Sequence, residues 1–375
     1  VSTVEAVEQS TRETAAAERY YLASQWQLVW WKFRKHKMAL VAGIVLAIMY
    51  FIAAFCEFLS PYLPGTRFTE YLYAPPQRVR LLASGEGFGP HVYGLVRGRD
   101  PETFRRTFMV DTEQRFDVRF FVRAEEYRLW GVFKSDIHLF GSDDGPVMLF
   151  GADRLGRDVF TRILYGARIS LSVGLVGIFF TFVFGMVLGG LSGYLGGTVD
   201  TIIQRLVDLL ISIPTIPLWM ALAAALPRDW PPVRIYFGIV IIFSMIGWTG
   251  LARVIRGKLL ALREEDFVMA GRIAGAKQGA IIAKHLLPSF ASYIIVSLTL
   301  AIPQTILGET ALSFLGLGLQ PPVVSWGVLL QDAQNVQAIA HHGWLLIPCL
   351  FVIVTVLMFN FLGDGLRDAA DPYTR

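Results

Sequence analysis

The sequence predicts an all-α polytopic membrane protein of six transmembrane helices, with a small, partly β insertion between the first and second. Three observations carry this. The 375 residues are 54% hydrophobic and 17% charged, with a mean hydropathy of +0.49, which is more apolar surface than one globular core can hide. Six charge-free runs, 38–56, 169–199, 209–226, 235–252, 286–308 and 343–363, match a hydrocarbon core of about 30 Å, which takes roughly 20 helical residues. Basic residues gather in two places, before the first run (Lys32, Arg34, Lys35, Lys37) and between the fourth and fifth, where 253–284 holds seven Lys or Arg against three acids. Positive segments stay in the cytoplasm, and six crossings satisfy both placements, with both termini inside.

Along the chain, 1–37 reads as a cytoplasmic tail that becomes an amphipathic interfacial helix, where Trp26, Trp30, Trp31 and Phe33 interleave with Lys32, Arg34 and Lys35. A plain aromatic belt on the first span is the alternative. Residues 38–59 form the first transmembrane helix. Residues 60–168 form an extracytoplasmic insertion in which 115–123 and 127–133 have the alternation and aromatic content of strands. It receives a soluble partner, lines an entrance, or is a passive cap. At its edge, 151–168 reads as an anchoring helix capped by Asp153 or Asp158, with arginines reaching headgroup phosphates.

Residues 169–363 carry the other five spans, and 364–375 a cytoplasmic tail. A further charge-free run, 310–331, contains Gly316, Gly318 and Pro321–Pro322, which interrupt helical hydrogen bonding. It reads as a half-inserted or surface segment.

The composition excludes several chemistries. Cys56 and Cys349 lie in apolar runs as packing residues. No phosphate-binding loop, metalloprotease signature or nucleophile elbow occurs, and the net charge of +4 is a topology signal without a clustered nucleic-acid face. The spans are nearly free of ionisable groups, against a secondary transporter with its own ion pathway. No cofactor or metal site is expected on this chain. Ser212, Thr215, Gln304 and Thr305 line a path or simply bond between packed helices. Glu309 caps the segment after it, the preferred reading, or contacts cargo.

The most informative stretch is 253–288, within which 263–288 reads REEDFVMAGRIAGAKQGAIIAKHLLP. Glu264, Glu265 and Asp266 open a helix where its dipole favours negative charge. Ala270, Gly271 and Ala274 keep that helix thin, Gly275 ends it, and Ala276 to Leu287 forms a second short helix stopped at Pro288. Two short helices at an angle make a knob for a groove on a partner, or an ordinary hairpin between spans.

At these residues the segment resembles the EAA motif shared by membrane subunits of ABC importers. Ala270 and Gly271 take the two alanine positions, Gly275 the glycine, and Leu287 with Pro288 the close; Met269 stands where the motif has glutamate. GADRLGRDVFTRILYGARISLSVGL from Gly151, ETALSFLGLGLQPPVVSWGVLL from Glu309 and NFLGDGLRDAADP from Asn360 resemble the C-type permease subunit of oligopeptide, dipeptide and nickel importers. The long insertion resembles the branch that takes up microcin C-like peptides.

The resemblance implies the type I ABC importer permease fold in the bacterial inner membrane. It further implies a second, related permease, cytoplasmic ATPase subunits holding ATP and Mg, and a periplasmic substrate-binding protein that delivers peptide. Oligosaccharide import by the same machine is the alternative cargo. The knob then docks on an ATPase subunit.

Overall fold

The computed structural model describes residues 25–82, 88–99, 106–227, 229–262, 264–276, 281 and 290–370. A short helix α1 (Gln25–Lys35) leads through His36 into α2 (Lys37–Ala54), whose first turn is capped by the His36 imidazole accepting from the Ala39 N–H. After the single-turn α3 (Cys56–Leu59) the chain enters two antiparallel sheets. The first is β1 (Arg80–Leu82), β2 (Phe88–Arg99) and β3 (Arg106–Asp117), with Val92 opposite Phe116 and Leu95 opposite Val110; the second is the hairpin of β4 (Arg119–Leu129) and β5 (Phe133–Gly141), with Val122 opposite His138. The stretch 115–123 therefore divides between sheets, and 127–133 is the end of β4, its turn and the first residue of β5. Strand propensity marked both stretches, but turn geometry set their boundaries.

The helical body follows: α4 (Val159–Leu195), α5 (Gly197–Ser212), α6 (Thr215–Ala224), α7 (Pro232–Leu262), α8 (Asp266–Ile273), α9 (Ala291–Phe314), α10 (Trp326–Leu330), α11 (Val336–His341) and α12 (Ile347–Ala370). Five described helices are long and apolar enough to cross a membrane; a sixth crossing exists if α5 and α6, bent by 88° at their break, count as one. The run 209–226 is thus no straight span: Pro214 has no N–H to continue α5 and restarts the chain in α6. The expected anchoring helix at 151–168 is instead a turn followed by the first turns of α4, whose 37 residues extend about 55 Å at 1.5 Å per residue. The expected tail at 364–370 continues α12, and its Asp368 lies 3.7 Å from His36.

Packing follows small residues. Along α4, Gly185, Gly189 and Gly193 face α7; a Cβ on Gly189 would stand 2.7 Å from the Ala252 carbonyl, so the helices touch backbone to backbone. The largest core joins α2, α4, α9, α10 and α12 through Leu46, Ile163, Leu171, Ile306, Trp326 and Phe359. Trp326 is fully buried and donates from its indole to the Ile163 carbonyl at 3.1 Å. The run 310–331 therefore completes α9, loops back and re-enters the bundle as α10.

Three of the four arginines of 151–168 turn inward, away from headgroups, while Arg154 stays exposed beside Asp332. Arg157 bonds Asp153 at 2.7 Å, and buried Arg162 lies 3.6 Å from the same carboxylate. Arg168 spreads over the C-terminal end of α2, bonding both Glu57 oxygens and the carbonyls of Ala53 and Ala54. A guanidinium matches this because the last carbonyls of a helix lack partners and its planar fork reaches several at once.

Candidate functional site

The knob begins where α7 ends. The Glu265 carbonyl accepts from the Val268 and Met269 N–H groups, starting α8, and Glu264, Glu265 and Asp266 stay exposed at its positive end. The helix divides into two faces. Val268 is wholly buried and, with Ile281, packs on Leu251, Ile255 and Leu259 of α7 and on Tyr194, Phe290 and Ile294. Met269 and Ile273 point away, 45% and 86% exposed, beside exposed Ala270, Ala274 and Ala276.

Gly275 ends α8 at φ +78, and the Ala276 N–H returns to the Gly271 carbonyl at 3.0 Å, the six-to-one bond of a Schellman close. Gly271 faces inward: a Cβ there would meet Ile281 at 3.8 Å. Leu287, Pro288 and most of the second short helix lie outside the described residues. What is described is an apolar knob rimmed by acids and rooted by Val268 in the end of α7.

The knob's base is tied to the broken helix. Arg256 of α7 donates from Nε and Nη2 to the two carboxylate oxygens of Asp200 on α5, at 2.5 and 2.6 Å. Ser192 of α4 donates to the same carboxylate at 2.5 Å, and Gln204 donates to the Ser192 hydroxyl at 2.9 Å. Arg253 bonds Asp208 at 2.6 Å. Sequence reasoning missed these pairs, which are distant in the chain; the available signal was that Asp200 and Arg256 flank apolar runs with opposite charge.

The path candidates separate. Ser212 and Thr215 are exposed on either side of the α5–α6 break, with the Ser212 hydroxyl donating to the Leu209 carbonyl at 2.7 Å. Gln304 is exposed on α9, whereas Thr305 is half-buried and faces Gly177 of α4. Glu309 is fully buried and accepts from Ser170 at 3.2 Å, Ser313 at 2.8 Å and Ser325 at 2.7 Å. Those hydroxyls in turn accept from the Trp326, Leu319 and Val328 N–H groups. Glu309 thus pins the loop after α9 to α4 and α10, and none of the other path candidates meets it. A cleft of about 180 Å³ lies between Leu226, Trp230 and Pro232 on one side and Gly316, Gln320 and Pro321 on the other.

Near the opposite end of α4 from the knob, Asp158 caps the helix by accepting from the Thr161 N–H at 2.7 Å. Burial pushes its carboxyl up to about 7, because a charged group loses hydration there. Burial also raises Asp332, against the Arg154 guanidinium 2.9 Å away. Among the described residues no group of three His, Cys, Asp or Glu is placed to hold a metal.

Comparison with known proteins adds three findings. The family model of the binding-protein-dependent transport system inner membrane component matches residues 185–375, and that of the N-terminal TM domain of oligopeptide transport permease C matches 24–76. The dipeptide transport system permease protein DppC of Bacillus subtilis is 42% identical over 60% of this chain and 69% of its own length. The oligopeptide transport system permease protein OppC of the same organism is 37% identical over 60% and 72%. Among solved structures, an inward-facing MetNI methionine ABC transporter chain aligns over 56% of this chain and 97% of its own, at 19% identity and a TM-score of 0.43.

Proposed function

Because the chain belongs to the family of binding-protein-dependent transport system inner membrane components, we propose that it is the permease subunit of an ATP-driven importer with the type I ABC permease fold. Its cargo is peptide, as the names of its dipeptide and oligopeptide relatives suggest. A periplasmic binding protein delivers the peptide, a second related permease shares the pathway, and cytoplasmic subunits holding ATP and Mg supply the work. This chain is not catalytic itself. A secondary transporter is disfavoured by membership of a binding-protein-dependent family.

The observation that carries the reading is the exposed knob of Met269, Ala270, Ile273 and Ala276, an apolar surface on a charged rim where the chain emerges from α7. Its docking face is small and its root is buried, so a push on α8 reaches α7 through Val268. From α7 the Arg256–Asp200 pair passes displacement to α5 and its break at Pro214. Backbone contact between α4 and α7 makes those two helices move together. Transport then needs two arrangements with different affinities for ATP and for loaded binding protein.

Topology is supported by the ends of the bundle. α12 returns to the start of α2, where Phe33, Ala39 and Ala369 pack together, which supports an even number of crossings with α5–α6 as one of six. The basic residues near α1 and α8 favour a cytoplasmic location for that end, and on this reading both sheets lie outside. The test is reconstitution of the complex with its binding protein and labelled peptides. ATP-dependent accumulation of peptide supports the reading, and binding-protein-independent uptake driven by an ion gradient contradicts it.

A further inference from the structure

The β4–β5 hairpin carries an aromatic patch that the transport reading leaves unused. Phe120, Phe121, Trp130, Val132 and Phe133 are 54% to 72% exposed, a concentration of large apolar groups that water does not favour. The turn is built to present it. Three residues separate the paired Leu129 and Phe133; Trp130 and Gly131 both take positive φ, 52 and 76, the Val132 N–H closes the turn on the Leu129 carbonyl at 3.1 Å, and a bulky residue at positive φ is strained. Phe121 also has positive φ, at 57.

The hairpin's position indicates what covers the patch. The Trp130 indole donates to the Ala54 carbonyl, the last residue of α2, at 2.8 Å. An unbroken ring series runs Phe51, Phe55, Trp130, Phe133, with centroids 4.7, 5.5 and 6.4 Å apart. Phe51 belongs to the face of α2 that also exposes Val41, Ile44 and Ile48, which is where a spanning helix meets acyl chains.

α2 has 18 residues, about 27 Å at 1.5 Å per residue, slightly less than a hydrocarbon core of about 30 Å. Its end at Ala54 therefore sits at the depth where indole rings partition, apolar on one side and hydrogen-bonded on the other. Directly behind the tip, Arg128 and Lys134 face each other across the hairpin and are exposed, at the level of lipid phosphates. The hairpin is held rigidly: His138 sets its two ring nitrogens against the Ser60 and Glu125 carbonyls at 2.6 and 2.9 Å.

We propose that the turn from Leu129 to Phe133 is a membrane-dipping wedge that seats the insertion on phospholipid at the far end of α2. The inference needs α2 to cross the bilayer and is independent of the cargo, so its failure would leave the transport reading standing.

The test uses the whole complex in nanodiscs of phosphatidylethanolamine and phosphatidylglycerol doped with a phosphatidylcholine bearing a diazirine in its tail. After irradiation, lipid adducts are expected on the peptide containing Leu129 to Phe133 as well as on α2. Adducts on α2 with none on the turn overturn the proposal. Depth is read independently from a nitroxide on Val132→Cys in a Cys349→Ala background. It should collide with oxygen and be shielded from a nickel chelate, whereas a label on Asp143→Cys shows the reverse. Equal nickel access at both positions overturns the wedge. Shielding at Val132 that appears only when binding protein is added also overturns it, because the partner would then be protein.

Discussion

At Gly275 the backbone takes φ +78, and among the described residues nothing lies within 4 Å of where a Cβ would stand, so substitution meets a conformational penalty there. Gly275→Val carries a penalty of at least about 1–2 kcal/mol in this turn and is expected to lower both peptide uptake and substrate-stimulated ATP hydrolysis in the reconstituted complex; normal values for both would remove the knob from the coupling route. Arg168→Ala removes the ion-pair partner of the buried Glu57 carboxylate and the donor to the Ala53 carbonyl, while the Ala54 carbonyl keeps the Trp130 indole. Loss of one member of a buried pair costs about 3–5 kcal/mol, so the thermal midpoint of the purified complex should fall, and Arg168→Lys should recover only part because a point charge cannot span the fork's acceptors.

Asp158 has a direction in pH. Its folded-state value is raised to about 7 from about 3.9 in an unfolded chain, so the folded state holds an extra proton between those values and stability falls as pH rises through that window. Asp158→Asn keeps an oxygen for the Thr161 N–H and should flatten the decline in thermal midpoint between about pH 4 and 7. An unchanged slope would show that Asp158 is not its source.

Among elements, Arg256–Asp200, one of the two pairs joining α5 and α7, is the one whose loss separates movement from folding. Arg256→Ala removes two charge-assisted bonds to Asp200, while Ser192 still donates to that carboxylate. ATP hydrolysis should persist while peptide carried per ATP falls, and exchanging the charges as Asp200→Arg with Arg256→Asp should restore part of the ratio. A ratio unaffected by Arg256→Ala would make the pair a local staple. The apolar runs at 235–252 and 343–363 disclosed their helices because lipid-facing and core-facing positions are both hydrophobic. Their true ends were hidden: α7 continues to Leu262 and α12 to Ala370 with polar residues that still form helical bonds beyond the bilayer. Pro214 and Pro217 inside the apolar run signal a kink, but hydropathy registers composition and gives neither the 88° bend nor the division into α5 and α6.

For the molecule as a whole, the sequence carried the membrane class and the first helix of the knob with its Gly275 turn, since each rests on local pattern: charge-free length for one, and acids, small residues and Gly275 at helical spacing for the other. It did not carry the connections. The Glu309 hub depends on Ser170, far away in the chain, and the placement of Trp130 against Ala54 depends on the hairpin's register and turn.

The central claim is that this permease receives work from an ATP-hydrolysing partner through α8. It is tested most directly by cross-linking from Ile273→Cys, an apolar position 86% exposed on that helix, in the assembled complex with and without ATP. The account predicts a cross-link to the ATP-hydrolysing subunit whose yield changes with nucleotide. A complex that transports peptide but gives no cross-link from Ile273 to that subunit in either state would contradict it.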